Sequence, residues 1–301
     1  MKIAFLIMAH SNIQQLNCFI RQLLAYPESY IYIHLDSKAG NVVDFILKNE
    51  RIFILPERYC LNWGDYSLIE TTKYLLRYSA EKQYHDYYSL HSGVDMAIKP
   101  ISELAKFLEK EHKLFYASCL ELPCKHWGYG GGLGRIALKW PKIFRQKVGK
   151  FSLIRILRGI YGRAYNLKVI QKLFPVPTKK YRFYGGAEWF TASSECIQEM
   201  FRFLDINKDY DGIFKNAISS DEIYFSTIFK AIQNGRAAVN DNLCHTVWGI
   251  GKTDGIGGPI ILTDDYIEKL EKSDKFFARK FDLNQSKVIV DHFIEIAEKS
   301  T

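Results

Sequence analysis

At 301 residues, 48% of them hydrophobic, the chain is long enough for one large domain or two closely packed ones with a real core, which excludes a disordered polypeptide. The formal net charge of +8 is unevenly carried: Pro123 to Ala187 holds fifteen Lys or Arg and no Asp or Glu, leaving 26 basic against 33 acidic residues elsewhere. No apolar run approaches the length of about 18 residues that a membrane span needs, and six scattered cysteines without CxxC pairing argue against a zinc site or a disulfide framework and for a reducing cytoplasm.

The opening MKIAFLIMAH meets His10 before any small-residue cleavage site, so no signal peptide is expected. KIAFLIM (2–8) reads as a buried strand, SNIQQLNCFIRQLLAY as a helix capped by Ser11, and YIYIHLD (30–36) as a second strand. VVDFILKN predicts a helix, RIFIL a short strand, YSLIETTKYLLRYSAEK a long helix, HDYYSL a strand and ISELAKFLEKE a helix. This alternation predicts an α/β fold with a mostly parallel central sheet flanked by helices. In such sheets ligands bind at the carboxyl ends of the strands, which marks His10, Asp36 and Ser92 to Asp95. MAHSNIQQL lacks the glycines of a dinucleotide fingerprint, GYGGGLGR (128–135) reads as a mobile loop, and there is no Walker A lysine motif.

In the basic segment, WPKIFRQKVGKFSLIRILRGIYG interleaves Leu, Ile and Phe with cations. That composition suits an amphipathic helix on an anionic membrane and equally a solvated face packed on the domain. Nucleic acid stands behind both, because no helix-turn-helix, zinc-finger or RNP-type motif accompanies the charge. A membrane-facing patch would hold the protein near a lipid-linked partner.

Beyond it, KKYRFYGGAEWFTASSECIQEMFRFL reads as a glycine turn, a strand through Trp189 and a helix. AISSDEIYFSTIFKAIQ reads as a helix capped by Ser219 or Ser220, with Asp221 and Glu222 in its first turn, where acids often do no more than complement the helix dipole. After a glycine-rich loop and a capped helix from Thr263 comes FARKFD, whose adjacent Arg279 and Lys280 read either as an anion clamp or as snorkelling cations.

Seven motifs in order, AFLIMAHSNIQQL, YIYIHLDSKA, NWGDYSLIETTKYLL, YYSLHSGVDMAIKP, YGGAEWFTASSECIQEM, SSDEIYFSTIF and FARKFD, resemble the branching beta-1,6-N-acetylglucosaminyltransferase family, which includes the core 2 and I-branching enzymes and the related peptide O-xylosyltransferases. The resemblance covers most of the chain except the basic segment. It implies a GT-A-like nucleotide-binding fold and an inverting glycosyltransferase that takes a UDP-sugar and needs no metal or other cofactor. By position, Ala9, His10 and Asp36 would lie in the uridine pocket and Asp95 in the loop that replaces the usual metal-binding pair. Glu222 would be the catalytic carboxylate, and Lys280, with Arg279 beside it, would hold the diphosphate. Glu188 stands where relatives tend to be uncharged; a second basic residue upstream of FARKFD has only Lys252 and His245 as candidates.

The expected organisation is a nucleotide-sugar-binding half (1–122), a basic insertion facing acceptor or membrane (123–182, with 135–182 the membrane contact) and a half that completes the same domain (183–301). Acceptor contacts are expected from His126, Trp127, Tyr129, Arg135, Glu188 and Trp189, since aromatic rings suit sugar faces. The acceptor would be a glycan or lipid-linked glycan, the donor sugar N-acetylglucosamine with xylose behind it, and the enzyme cytoplasmic, peripheral on the inner face of the membrane. A hydrolase using two carboxylates and an inactive carbohydrate-binding protein are the competing readings.

Overall fold

The computed structural model describes residues 1–149, 152–249 and 258–298. Strand β1 (Ile3–Ala9) is buried at all seven positions, as an apolar run without alternation requires, because both of its faces are covered. β2 (Ser29–Leu35) pairs parallel to it from Ile3↔Ser29 to Ala9↔Leu35, and β3 (Ile52–Ile54) extends that edge. β4 (Tyr87–Ser92) pairs parallel on the other side. One reversed strand completes the sheet: β5 (Asp95–Ala97) lies outside it, β7 (Leu120–Glu121) and β8 (Tyr184–Gly185) form a small ribbon, and β9 (Phe190–Ser193) inserts antiparallel between β4 and β6 (Phe115–Ala117), which runs in the direction of β4. The order is therefore β3-β2-β1-β4-β9-β6, with a strand of the C-terminal half lodged inside a sheet begun by the N-terminal half. A separate three-stranded sheet joins β10 (Cys244–Thr246), β11 (Phe277–Arg279) and β5.

Helices α1 (Ile13–Leu24), α2 (Ser67–Lys82), α3 (Ile101–Glu111), α4 (Gly128–Gly131), α5 (Gly134–Ala137), α6 (Leu153–Ala164), α7 (Lys168–Leu173), α8 (Ser194–Ile206), α9 (Tyr210–Phe214), α10 (Asp221–Ile232), α11 (Ile267–Glu271) and α12 (Lys287–Glu298) complete the described elements. The two-residue period of β1 divides them between two cores. Ile3, Phe5 and Ile7 pack with Leu16, Phe19 and Leu23 of α1 and Leu104 and Leu108 of α3. Ala4, Leu6 and Met8 pack with α2, α8 and α10 through residues such as Leu76, Met200 and Phe229.

The expected α/β layering is there, and several local expectations are corrected. VVDFILKN makes only a 3-10 turn, Val43–Phe45: Ile46 alone is buried, so no apolar stripe exists for packing to hold a helix there. Helix α1 is capped by Asn12, not Ser11; Asn12 adopts a left-handed conformation and its Oδ1 accepts from Gln15 N at 3.3 Å. Ser220 takes the cap position of α10 and Thr263 that of the turn Asp264–Tyr266, neither with a side-chain cap bond. The strand expected through Trp189 starts after it, at Phe190. The basic segment is broken into a 3-10 turn, Lys142–Phe144, and the helices α6 and α7.

The glycines of 128–135 do not form a loose loop. They build α4 and α5 in close contact with their surroundings: a Cβ on Gly130 would lie 2.6 Å from the Tyr165 ring, and Gly130 itself has φ +67°. Close approach, not mobility, is what the missing side chains supply there.

Candidate active site

The parallel strands β1, β2 and β4 end side by side, and two backbone bonds close the edge: Asp36 N donates to Ala9 O at 2.8 Å and Gly93 N to Met8 O at 3.0 Å. A Cβ on Gly93 would come within 2.9 Å of the Ala9 Cβ, so glycine is what lets the β4–β5 turn fold over the end of β1. Asp36 is buried and serves the loop: Oδ1 accepts from Lys38 N at 2.9 Å, Oδ2 accepts from Leu61 N at 3.3 Å and lies 3.5 Å from Lys38 Nζ. His10 stands exposed at the same edge, its pKa pushed down by partial burial and by Lys147, Lys280 and Lys38, against the opposing pull of Asp36.

Asp95 opens β5 directly opposite Arg279, its antiparallel partner on β11. Its Oδ2 accepts from Ser92 N at 3.0 Å and lies 3.6 Å from His91 Nδ1, while Oδ1 faces Arg279 Nε at 3.3 Å. The Arg279 guanidinium carbon lies 4.2 Å from the centroid of the Trp189 ring. Asp95 and Arg279 are both almost wholly buried, so the aspartate is committed to an arginine and a turn.

A second set of carboxylate, arginine and tryptophan stands at the start of α10. Arg135 Nη1 donates to Glu222 Oε2, and the Arg135 guanidinium carbon lies 4.2 Å from the Trp127 ring centroid. Arg135 is buried, whereas a third of the Glu222 side chain (34%) remains open, so the carboxylate is fixed yet reachable. The first turn of α10 is tied to the loop carrying Glu188 and Trp189 by Gly186 N, which donates to Glu222 O at 2.9 Å. A Cβ at Gly186 would sit 1.9 Å from Ser118 O, so no other residue fits.

Between the two sets lie Glu188 and Asp221, carboxyl against carboxyl. Burial and the Glu188 carboxyl push Asp221 well above the ordinary 3.8, and burial also raises Glu188. Two like charges at such a distance cannot both ionise cheaply, so the pair keeps a proton, with Asp221 the better holder. Among the described residues no three His, Cys, Asp or Glu side chains converge as a metal-holding group.

Lys280 follows Arg279 just beyond the end of β11. Its backbone is pinned, with Lys280 N donating to Ile260 O at 3.3 Å and Leu262 N to Lys280 O at 2.8 Å, and Nζ lies 3.4 Å from where a Cβ on Gly258 would be. Burial, then Arg279 and Lys147, hold its pKa below the ordinary 10.5, while Asp95 and Glu188 pull the other way. Among the described residues no carboxylate comes within ion-pair reach of Nζ, a partly buried cation.

The fold thus brings Glu222, Arg135, Trp127, Glu188, Trp189, Asp95 and Arg279 into one cluster, with Lys280, His10, Asp36 and Ala9 along its strand-end margin. It sets Tyr129 apart: that ring packs on Trp140, centroids 5.3 Å apart, and against Gly162. His126 lies on an exposed turn. Of the two candidates for a further cation, His245 on β10 lies 3.4 Å from Ser273 Oγ with Lys269 and Lys275 as its charged neighbours, and Lys252 lies outside the described residues. Sequence reasoning missed Lys147, which the basic segment carries to His10 and Lys280, and it missed the Asp221–Glu188 pair; only the uninterrupted positive charge of the segment hinted at the first.

A family model described as Core-2/I-Branching enzyme matches residues 3–271. Mouse xyloside xylosyltransferase 1, in its apo form, is a distant structural neighbour at 9% identity and TM-score 0.41, with 92% of this chain and 97% of that one covered. A Bacillus anthracis protein provisionally assigned as a glucose-1-phosphate thymidylyltransferase, in complex with sucrose, follows at 8% identity and TM-score 0.33, covering 66% of this chain and 74% of that one. No curated protein matches the chain in sequence.

Proposed function

The chain belongs to the Core-2/I-branching enzyme family and is a glycosyltransferase, and from that premise we propose that it moves a sugar from a UDP-sugar to a glycan or lipid-linked glycan, with inversion and without a metal. One observation carries the reading: one cluster presents a carboxylate fixed by an arginine, Glu222, and an ammonium, Lys280, with no ion-pair partner among the described residues. Those are the two charges an inverting transfer needs.

The acceptor hydroxyl attacks the anomeric carbon from the face opposite the diphosphate, and Glu222 takes its proton as the new C–O bond forms. The bond to the diphosphate oxygen breaks, its electrons stay on that oxygen, and Lys280 meets the charge. A positioned base of this kind contributes about 10²- to 10⁴-fold, and a preorganised cation in a site shielded from water supplies the electrostatic part. Arg279, spent on Asp95 and Trp189, acts by holding the cleft floor and not by touching the leaving group. Trp127, partly exposed, offers ring surface beside Arg135 for the sugar, whereas Trp189 is buried beside Arg279. N-acetylglucosamine is the donor sugar the family favours, with xylose second.

The test combines donor binding and turnover. UDP-N-acetylglucosamine should raise the unfolding temperature, as a ligand selective for the folded state does, and Glu222→Gln should keep that protection while transfer falls by about 10²-fold or more. A glutamine variant that transfers at the parent rate sinks the base assignment. Loss of transfer in EDTA, restored by Mn²⁺, sinks metal independence.

A further inference from the structure

Helix α6 is built inside out. Its buried residues are Arg158, Gly159 and Gly162, and the residues it turns outward are Leu153, Ile156, Leu157 and Ile160, exposed by 67%, 57%, 46% and 60%. The four lie at i, i+3, i+4 and i+7, one continuous stripe on a helix of 3.6 residues per turn. Neither face is accidental. Arg158 Nη1 donates to Phe144 O at 3.1 Å and Gln146 O at 3.2 Å, and its guanidinium carbon lies 5.0 Å from the Trp63 ring centroid. Gly162 allows the Tyr129 and Trp140 rings to approach to where a Cβ would be 2.3 and 2.7 Å away. The inner face is therefore fully used, and the helix cannot roll to bury its leucines.

The stripe continues into α7, where Val169 and Leu173 are exposed by 59% and 66%. Lys168, Lys172 and Arg163 stand exposed along its border, and no acidic residue occurs from Pro123 to Ala187. An apolar stripe this open and uninterrupted marks an interaction surface, and cations with no anion among them choose the partner. Among the described residues no helix is long and apolar enough to cross a membrane.

We propose that α6 and α7 lie in the headgroup layer of an anionic lipid bilayer, with the leucine and isoleucine stripe inserted among the acyl chains and the bordering Lys and Arg on lipid phosphates. The proposal extends the transferase reading by naming where the acceptor is met. Helix α6 packs through Tyr129 and Tyr165 on Gly134, and Gly134 adjoins Arg135, the residue that holds Glu222. A docked α6 thus sets the acceptor side of the cleft beside the bilayer surface.

The test measures binding, not turnover, so its failure leaves the transferase reading standing. The full chain is sedimented with vesicles of phosphatidylcholine alone and of phosphatidylcholine mixed with phosphatidylglycerol. Wild-type protein should partition onto the mixed vesicles at least about tenfold better than onto the neutral ones. The fourfold variant L153S/I156S/L157S/I160S, which changes only exposed side chains, should lose at least about tenfold of that binding with an unchanged unfolding temperature. The pair Lys168→Gln and Lys172→Gln should weaken binding to the mixed vesicles alone. Equal binding by wild type and the serine variant overturns the proposal, as does absence of binding to either composition. Lipid-free self-association that the serine substitutions abolish also overturns it, and assigns the face to a second copy of the chain.

Discussion

Arg135 reaches Glu222 from beneath a tryptophan: its guanidinium carbon lies 4.2 Å from the Trp127 ring centroid while Nη1 donates to Glu222 Oε2. A planar guanidinium can stack and donate at once, which an ammonium cannot. Arg135→Lys keeps the charge and loses the plane, so the Glu222 carboxylate should be displaced without being freed. Misplacement on the ångström scale lowers turnover by about 10- to 100-fold. We expect a fall in kcat of that size with UDP affinity unchanged, read by single-substrate kinetics and by titration with UDP. A parallel loss in both would move Arg135 from positioning the base to building the donor pocket.

Lys280 is held below the ordinary lysine pKa of 10.5 by burial, Arg279 and Lys147. On the proposed mechanism its charged form binds the diphosphate, so affinity for UDP should be full at neutral pH and decline as pH rises through the lowered value, earlier than an exposed lysine would allow. Lys280→Ala should weaken UDP about 10- to 100-fold, the range of a lost charge-assisted hydrogen bond, and should flatten the alkaline limb. Calorimetric titration across neutral to alkaline pH separates the two forms. An alkaline limb that persists in the alanine variant would belong to another group.

Asp221 carries the opposite sign. Its folded pKa is raised above 3.8, so the native state keeps a proton that the unfolded chain releases. As pH climbs from 3.8 toward the raised value, the unfolded state is favoured and stability falls; above that value the penalty is constant. Asp221→Asn copies the protonated acid in shape and charge. The variant should match the parent in unfolding temperature in acid and exceed it at neutral pH, with the slope between them removed. A variant that matches the parent in acid but is less stable at neutral pH would mean that the ionised Asp221 carboxylate has a partner in the folded chain.

How much of this was legible in the sequence depends on how far apart the partners lie. The strands β1, β2 and β4 were readable because uninterrupted apolar runs have one stable use, burial on both faces of a sheet. The place of Glu222 in the first turn of a helix was readable from a local motif. Its partner Arg135 was only an aromatic-loop candidate for sugar binding, because 87 positions separate the two and only the folded chain brings them together. The 128–135 glycines were misread for the same reason: what makes them necessary is Tyr165 and Trp127, which local pattern does not show. Arg279 and Lys280, adjacent in sequence, read either as one clamp or as snorkelling cations, yet β11 ends between them and, among the described residues, only Arg279 is paired, with Asp95. For α6 the sequence leaves a membrane-facing stripe and a face packed on the domain equally open, and the burial of Arg158, Gly159 and Gly162 is what turns the leucines and isoleucines outward.

The fold should also be acid-sensitive for a reason that lies outside the cleft. His34, fully buried in β2, accepts a hydrogen bond at Nε2 from Tyr59 N at 2.9 Å, which requires that nitrogen to be unprotonated, and burial lowers its pKa from 6.5 to about 4. His85, equally buried, pairs with Tyr32 OH at 3.0 Å and is lowered to about 4 as well. A histidine depressed in the native state binds its proton first in the unfolded one, so stability is intact above 6.5 and declines as pH falls toward 4. Each group is worth up to about 2–3 kcal/mol across that window. Denaturant titrations at neutral and acid pH should show the loss. His34→Gln offers an amide oxygen to Tyr59 N without a titratable nitrogen, so it should remove roughly half of the pH slope; an unchanged slope would assign the acid sensitivity to other groups.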